Sequence, residues 1–305
     1  MLDSILSQSI KDVEVIVVDD ASEMCPADIV AAYRNKGLGI SLLPSPKRVH
    51  TKDARLLGVT MATADCIMFA DADDRLWGEQ ALESHVALMR ANDADIVHFR
   101  TVFTDENGIF TGYFHLADPF SPSLSGSPIL ERFLQQDSWG AVIWNKLFSR
   151  RLLVKSYNDI QALDILRCED LFMNLVTMFN AQSYIASDLT GYGYHYINKR
   201  KDTALARAMS VFSIMEFMLP FFAKNGVPAS MHQLLVASGM KRMSVLAGRA
   251  CMEFTKDGHG FPDAEAVGHL LQDVDVALLV KTLLMGNAIN ASKMTSMYTT
   301  LTSGS

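Results

Sequence analysis

The chain is 305 residues long, 49% hydrophobic and 20% charged, with a formal net charge of −7. That composition suits one large or two modest globular domains with a sizeable core, and it excludes a disordered chain. No basic run extends beyond Lys199-Arg200-Lys201, so the electrostatic footprint of a nucleic-acid binder is missing and no nucleic-acid partner is expected.

Leu2, Ile5 and Leu6 fall at helical spacing, so the sequence opens in the middle of an amphipathic helix. Val13 to Val18 is a near-continuous β-branched run ending in Asp19-Asp20-Ala21-Ser22, the pattern of a buried parallel strand with a polar tip. A helix is predicted over Pro26 to Asn35, with Pro26 in its first turn, and a short strand over Ile40 to Leu43, closed by Pro44 and Pro46. Lys52 to Ala62 is helical in pattern, with Ala54, Leu57 and Met61 on one face and Arg55 and Gly58 beside them.

The run Ile67-Met68-Phe69-Ala70-Asp71-Ala72-Asp73-Asp74-Arg75 is an apolar strand that delivers three carboxylates within four positions. A buried strand cannot hold unpartnered carboxylates, so Asp71, Asp73 and Asp74 are expected past its carboxyl end, where open α/β sheets bind ligands. Alternation separates Asp71 and Asp73 from Ala72, so both can face one cation. Hard oxygens of this kind suit Mg²⁺ or Mn²⁺, with diphosphate oxygens of a substrate completing the shell. The plainer alternative is that these aspartates only cap the helix that follows. A phosphatase of the aspartyl-phosphate type would need Thr or Val at position 75, where Arg75 stands.

A helix over Glu79 to Ala91 and a strand over Asp95 to Phe99 extend the alternating β/α series, which predicts a doubly wound, mostly parallel sheet. Asn107 to Ser127 reads as hairpin and loop, Ile129 to Gln135 as a helix, and Glu169-Asp170 as the start of an apolar helix running through Met178. Tyr184 to Ile197 alternates as strand, with Tyr192, Tyr194 and Tyr196 on one face. Residues 205 to 290 carry helical periodicity, so a helical C-terminal region is expected, ending in a frayed tail from Met294.

Cys25, Cys66, Cys168 and Cys251 are scattered without the close pairs of a zinc site, which suggests a reducing, cytoplasmic compartment. The most apolar stretch, Val211 to Ala223, is interrupted by Glu216 and Pro220 and falls short of the about 20 residues of a membrane span. Seventeen methionines leave room for a peripheral membrane contact.

Six short motifs then stand in a telling order: Ser4-Ile5-Leu6-Ser7-Gln8; Val15 to Ser22; Ala54-Arg55 with Gly58 and Ala62-Thr63; Phe69 to Asp74; Trp144-Asn145-Lys146-Leu147; and Glu169-Asp170-Leu171-Phe172. Over roughly residues 2 to 200 the chain resembles the inverting glycosyltransferases of family 2, with the GT-A fold, whose motifs SILxQ, VIVVDDGS, ARNxGxxxATG, FLDADD, WNKL and EDLxF follow the same order. It departs from them at Ala21, Leu56 and Ala64, where the family has Gly, Asn and Gly. The family's first strand, ending in a Pro-x-Tyr-Asn-like turn, should precede Leu2 and is absent. The chain as given is therefore expected to be a fragment or truncated gene model, either weak in catalysis or a nucleotide-sugar binder or scaffold of the same fold.

The resemblance implies an α/β, GT-A-like fold: a nucleotide-sugar-binding part over 1–110, an acceptor-side part over 111–204 and a helical region over 205–305. It implies transfer of a hexosyl or N-acetylhexosaminyl unit from a nucleotide sugar to a hydroxyl of a surface glycan, at the inner face of the cell membrane. Asp71 and Asp73 would form the Asp-x-Asp metal motif for Mg²⁺ or Mn²⁺, with Asp74 beside them. Asp19, Asp20 and Ser22 would meet the nucleoside, Arg55 the diphosphate, and Asp170 would be the general base with Glu169 as neighbour. Apart from the resemblance, Trp139 could stack on an acceptor sugar, although buried packing is the commoner fate of a Trp. His195 with Lys199 and Arg200 could close over the diphosphate, although a surface strand with an ordinary basic end is the plainer reading.

Overall fold

A computed structural model describes residues 1–120, 122–136, 141–196 and 204–256. The chain divides into two units, Met1–Lys199 and Arg200–Ser305. The first unit opens with α1 (Leu2–Leu6), β1 (Glu14–Asp19), α2 (Ala27–Asn35), β2 (Gly39–Pro44), α3 (His50–Met61) and β3 (Cys66–Met68). It continues through β4 (Arg75–Leu76), α4 (Ala81–Ala91), β5 (Ile96–Thr104), β6 (Phe110–Tyr113), β7 (Leu124–Ser125) and α5 (Pro128–Gln135). It closes with β8 (Lys146–Ser149), α6 (Arg150–Gln161), α7 (Glu169–Asn180) and β9 (Ser183–His195).

A five-residue helix is marginal on its own, and α1 is held by two buried polar side chains instead. Ser4 Oγ accepts the Leu76 N–H at 2.9 Å. Gln8 donates from Nε2 to the Gly78 carbonyl at 2.9 Å and accepts the Leu82 N–H at Oε1 at 3.0 Å. The Ser and Gln of the first motif therefore fasten α1 to the segment that leaves the aspartate turn.

The expected mostly parallel sheet is overturned. The main sheet has seven strands in the order β3-β8-β5-β9-β4, with β6 on β5 and β7 on β9. Only β5 and β9 pair in parallel; β3–β8, β5–β8, β4–β9, β5–β6 and β7–β9 are all antiparallel. Alternation of strand and helix predicts parallel neighbours only when consecutive strands lie side by side. Here β8, which comes late in the chain, inserts between β3 and β5 and opposes both. Around this sheet Val97, Phe99, Trp144, Leu147 and Tyr192 make the main core.

β1 and β2 form a separate two-stranded parallel sheet. Leu2, Ile5 and Leu6 of α1 and Val30 of α2 pack on it with Leu38 and Ile40. Val15 to Val18 were expected to be buried, yet all four are only half-buried, because β1 has a strand partner on one edge only. Its other edge, with Glu14, Ile16 and Val18, faces β3 across a cavity of about 370 Å³ floored by Gly58 and Val59 of α3.

The second unit, as described, is a pair of long helices, α8 (Ala204–Lys224) and α9 (Ala229–Lys256). A Cβ at Gly239 of α9 would lie 2.0 Å from Met215 Sδ of α8, so the glycine is what lets the two helices meet. Val211 to Ala223 lies within a 19-residue stretch of α8, Ala206–Lys224, which meets the length and mean-hydropathy requirement of a membrane span at 1.3. The same apolarity supplies the buried Ile214, Met215, Met218 and Phe222 facing Leu235 and Val236.

Candidate active site

β3 runs out at Met68, Phe69 remains buried, and past Ala70 the chain turns through Asp71 to Asp74. The Asp74 N–H closes this turn on the Asp71 carbonyl at 3.3 Å. Tyr192 on β9 clamps it, since its hydroxyl accepts the Asp71 N–H at 3.0 Å and donates to Asp74 Oδ2 at 2.8 Å. The His195 N–H reaches Asp74 Oδ1 at 2.7 Å. Asp74 thus points inward, 3% exposed, with both oxygens engaged. Burial pushes its carboxyl up to about 7, against the downward pull of the His195 and Tyr192 hydrogen bonds, and Asp71 and Asp73 add to the rise. Asp73 and half-exposed Asp71 are the outward-facing carboxylates of the turn.

Arg55, on α3, gathers the rest. Its Nη2 lies 3.3 Å from Asp71 Oδ1, its Nη1 hydrogen-bonds Asp170 Oδ1, and Glu169 Oε1 stands 3.7 Å from the same nitrogen. Burial alone would lower the guanidinium pKa, but Asp170, Asp71 and Glu169 outweigh it and hold the charge firmly in place. Burial raises the Asp71 carboxyl, with Arg55 opposing. It also raises Glu169, where the adjoining Asp170 adds to the rise and Arg55 again opposes it. Three carboxylates from two distant parts of the sequence thus share one cation, and Glu169 and Asp170 open α7, whose amino end favours negative charge.

On the β1 side, Asp19 accepts the Ser22 N–H at 3.1 Å, an Asx turn. Asp20 accepts the Val49 and His50 N–H groups at 2.5 and 3.0 Å, and so holds the start of α3 and with it Arg55. Both aspartates shape the chain between β1 and α3, while Ser22 is exposed. Ala21 has φ +53°, a left-handed conformation that costs a residue with a Cβ roughly 1 kcal/mol relative to Gly. His50 and Cys168 also sit at positive φ, +66° and +56°. Strained positions of this kind collect around functional clefts, and here they lie at the tip of β1, the start of α3 and the start of α7.

Sequence reasoning missed a buried polar cluster beneath α7. Lys146, fully buried on β8, donates to the Val142 carbonyl at 2.5 Å and to Asn145 Oδ1 at 2.9 Å. Burial lowers its ammonium to about 7, with Asp170 pulling the other way. His98 on β5 contacts the Tyr184 hydroxyl at 2.9 Å and is held well below its ordinary range by burial and by Lys146. The Trp-Asn-Lys-Leu run was the available signal, because a lysine inside an apolar strand pattern marks a buried charge. Tyr192 was visible only as one of three alternating tyrosines.

The sequence-derived residues therefore divide. Asp71, Arg55, Glu169 and Asp170 meet, Asp73 is exposed on the same turn and Asp74 is buried beneath it. Asp19, Asp20 and Ser22 belong to the loop after β1, where Asp20 holds the start of α3. Trp139, Lys199 and Arg200 lie outside the described residues. Among the described residues no three His, Cys, Asp or Glu side chains converge as a metal cage. Two outward carboxylates beside an open crevice do fit Mg²⁺ or Mn²⁺, ions often held by one or two protein carboxylates plus substrate phosphate oxygens.

A family model described as glycosyl transferase family 2 matches residues 1–157, just over half of the chain. The amylovoran biosynthesis glycosyltransferase AmsB of Erwinia amylovora is 32% identical over 123 residues, 40% of this chain and 40% of that protein. The glycosyltransferase GlyA of Streptococcus pneumoniae is 25% identical over 260 residues, 82% of this chain and 36% of that protein. The chain thus spans well under two thirds of the length of these relatives. Among solved structures, S. aureus TarS 1–349 in complex with UDP superposes with a TM-score of 0.61 at 19% identity, covering 94% of this chain and 82% of that one. The shared fold is GT-A-like.

Proposed function

The chain belongs to glycosyl transferase family 2, and from that membership we propose that its crevice transfers a sugar from a nucleotide donor to a glycan hydroxyl with inversion. The observation that carries the reading is the single guanidinium of Arg55 held between Asp71 and Asp170. A diphosphate placed beside Asp71 would meet the Arg55 fork, whose planar donors match phosphate oxygens. Asp71 and Asp73 would hold Mg²⁺ or Mn²⁺ there, and the cation would stabilise charge on the leaving diphosphate. Ser22 and the loop shaped by Asp19 and Asp20 would bound the nucleoside. Asp170 takes the proton of the acceptor hydroxyl, the oxygen attacks the anomeric carbon, and the nucleoside diphosphate leaves with the bonding electrons. Glu169, whose carboxyl is raised by burial and by Asp170 against the pull of Arg55, is the neighbouring acid at the start of α7.

The donor would be a nucleoside-diphosphate hexose or N-acetylhexosamine, and the acceptor a polysaccharide, lipopolysaccharide or capsule chain at the cytoplasmic face of the membrane. Incubating the protein with a panel of nucleotide sugars and glycan acceptors, with and without chelator, tests this. Transfer is expected to stop on chelation and return with Mn²⁺ or Mg²⁺; transfer indifferent to chelator removes the metal from the scheme.

The open edge of β1 favours a second reading, a nucleotide-sugar binder with little turnover. The cavity lies between the unpaired edges of β1 and β3, and a strand placed in it would hydrogen-bond both edges. Met1 lies half-buried, its amine desolvated and within electrostatic reach of Asp3, Arg75, Asp74 and Asp73. Fusing a six-residue β-branched strand and a short turn ahead of Met1 is expected to raise the thermal midpoint by several degrees and to sharpen donor binding. An unchanged midpoint means that the gap is a finished feature of the fold.

A further inference from the structure

We infer that the aromatic run of half-buried Trp77 and exposed Phe110, Tyr113 and His115 is a docking track for a neutral glycan, leading the acceptor to the crevice; this rests on the transferase reading and names its acceptor subsite. The rings follow one another at centroid spacings of 6.1, 5.2 and 5.6 Å. Phe110 and Tyr113 are three apart in a strand, where alternation would send them to opposite faces. A bulge corrects this: Thr104 pairs with Phe110, Phe103 with Gly112 and Val102 with Tyr113, so Thr111 is the extra residue and the two rings meet. Both remain open to solvent, 43% and 58% exposed.

The track is joined to the site. Arg75 and Trp77 alternate with buried Leu76, so they share a face, and Arg75 directly follows the aspartate turn. Arg75 Nη1 donates to the Gly108 carbonyl at 3.1 Å, which ties the turn of the β5–β6 hairpin to the segment carrying Asp73 and Asp74. Trp77 then lies against Phe110. A polymer seated on these rings would run toward the segment that carries Asp73 and Asp74.

Two kinds of occupant use exposed aromatics: sugars, whose C–H faces rest on rings while hydroxyls reach polar neighbours, and membrane interfaces. Charge and composition decide between them. From Phe103 to Phe120 the chain carries Asp105, Glu106 and Asp118 and no Lys or Arg. The neighbouring Arg75 is the cation bonded to this hairpin, so the balance is acidic and does not attract an anionic leaflet. The exposed Ile109 and Leu116 beside the rings are what the vesicle arm of the test addresses. The Tyr113 hydroxyl and the exposed His115, which bonds Asp118 Oδ2 at 3.0 Å, supply the hydrogen-bonding groups a sugar requires.

The test is calorimetric titration of the full chain, without nucleotide sugar, with neutral oligosaccharides of two to six units from the cello-, chito-, malto- and manno- series. Affinity is expected to rise with length for at least one series. It should fall about tenfold in Phe110→Ala/Tyr113→Ala and by less in Tyr113→Phe, which keeps the ring and loses only the hydroxyl, with unchanged thermal midpoints showing that the exposed positions leave the fold intact. Absence of binding by every series, or binding untouched in the double variant, overturns the track. So does sedimentation with phosphatidylglycerol vesicles that the double variant abolishes, which would make the face a membrane contact. Because binding is read without turnover, a chain that binds glycan but transfers nothing retains the track and loses the transferase reading. Where transfer is measurable, the double variant raises acceptor KM and leaves donor KM and kcat alone.

Discussion

Asp170→Asn is expected to lower kcat by about 10²–10⁴-fold, the usual worth of a general base, with donor KM within a few-fold of the parent protein. Asn keeps the size of the side chain and an oxygen that can accept from Arg55 Nη1, so the guanidinium keeps its place between α3 and α7. What disappears is the capacity to take the acceptor's proton. Asp170 is also the carboxylate best situated to accept it, because its side chain is 24% exposed at the crevice and its backbone is fixed by the Asn174 amide, which donates to the Asp170 carbonyl at 2.8 Å. Glu169 is similarly exposed but stands 3.7 Å from Arg55, without the direct hydrogen bond that fixes Asp170, so its carboxylate is less firmly positioned. Glu169→Gln should accordingly cost far less. Steady-state rates over a range of donor and acceptor concentrations separate the two, and an unaltered kcat in Asp170→Asn while Glu169→Gln is dead would transfer the base to Glu169.

Much of this site is legible in the sequence because each motif carries its own local chemistry. An apolar strand running into Asp71, Asp73 and Asp74 has to end at a crevice, and acids at the start of an apolar helix have to face its amino end, so both halves can be located before any fold is known. Their meeting through Arg55 is not legible, since nothing local to residue 55 encodes a partner at residue 170. The direction of the sheet escaped for a related reason. Sequence order gives β3, then α4, then β5, which suggests parallel neighbours, and only the long-range pairing of Phe148 with both Ile67 and Ile96 reveals the antiparallel strand between them. Asp74 shows the limit at the scale of one side chain. Alternation cannot tell an outward carboxylate from one buried beneath Tyr192 and the His195 N–H, because both partners arrive from β9, over a hundred residues later.

Arg55→Met should weaken donor binding by at least about tenfold through loss of the phosphate fork, and its stability cost should depend on pH with a definite sign. Met preserves the apolar stem of the side chain, so the substitution removes charge more than packing. Arg55 is 11% exposed, but its acidic partners are 22% to 40% exposed. Solvent screening therefore holds the loss at neutral pH to about 1–3 kcal/mol, below that of breaking a fully buried pair. Asp71 and Glu169 both have folded-state pKa values raised by burial. Groups raised in this way favour the native state below their unfolded values, about 4, and that advantage is lost as pH rises through the folded values. In the parent protein Arg55 opposes the loss, because it stays charged across the range. Without it both carboxyls rise further, so the variant's stability should fall more steeply as pH rises above about 4 and approach the parent's at the acid end. Urea unfolding at several pH values reads this directly. A deficit of the same size at every pH would mean that Arg55 contributes through packing, and that the three carboxylates do not depend on its charge.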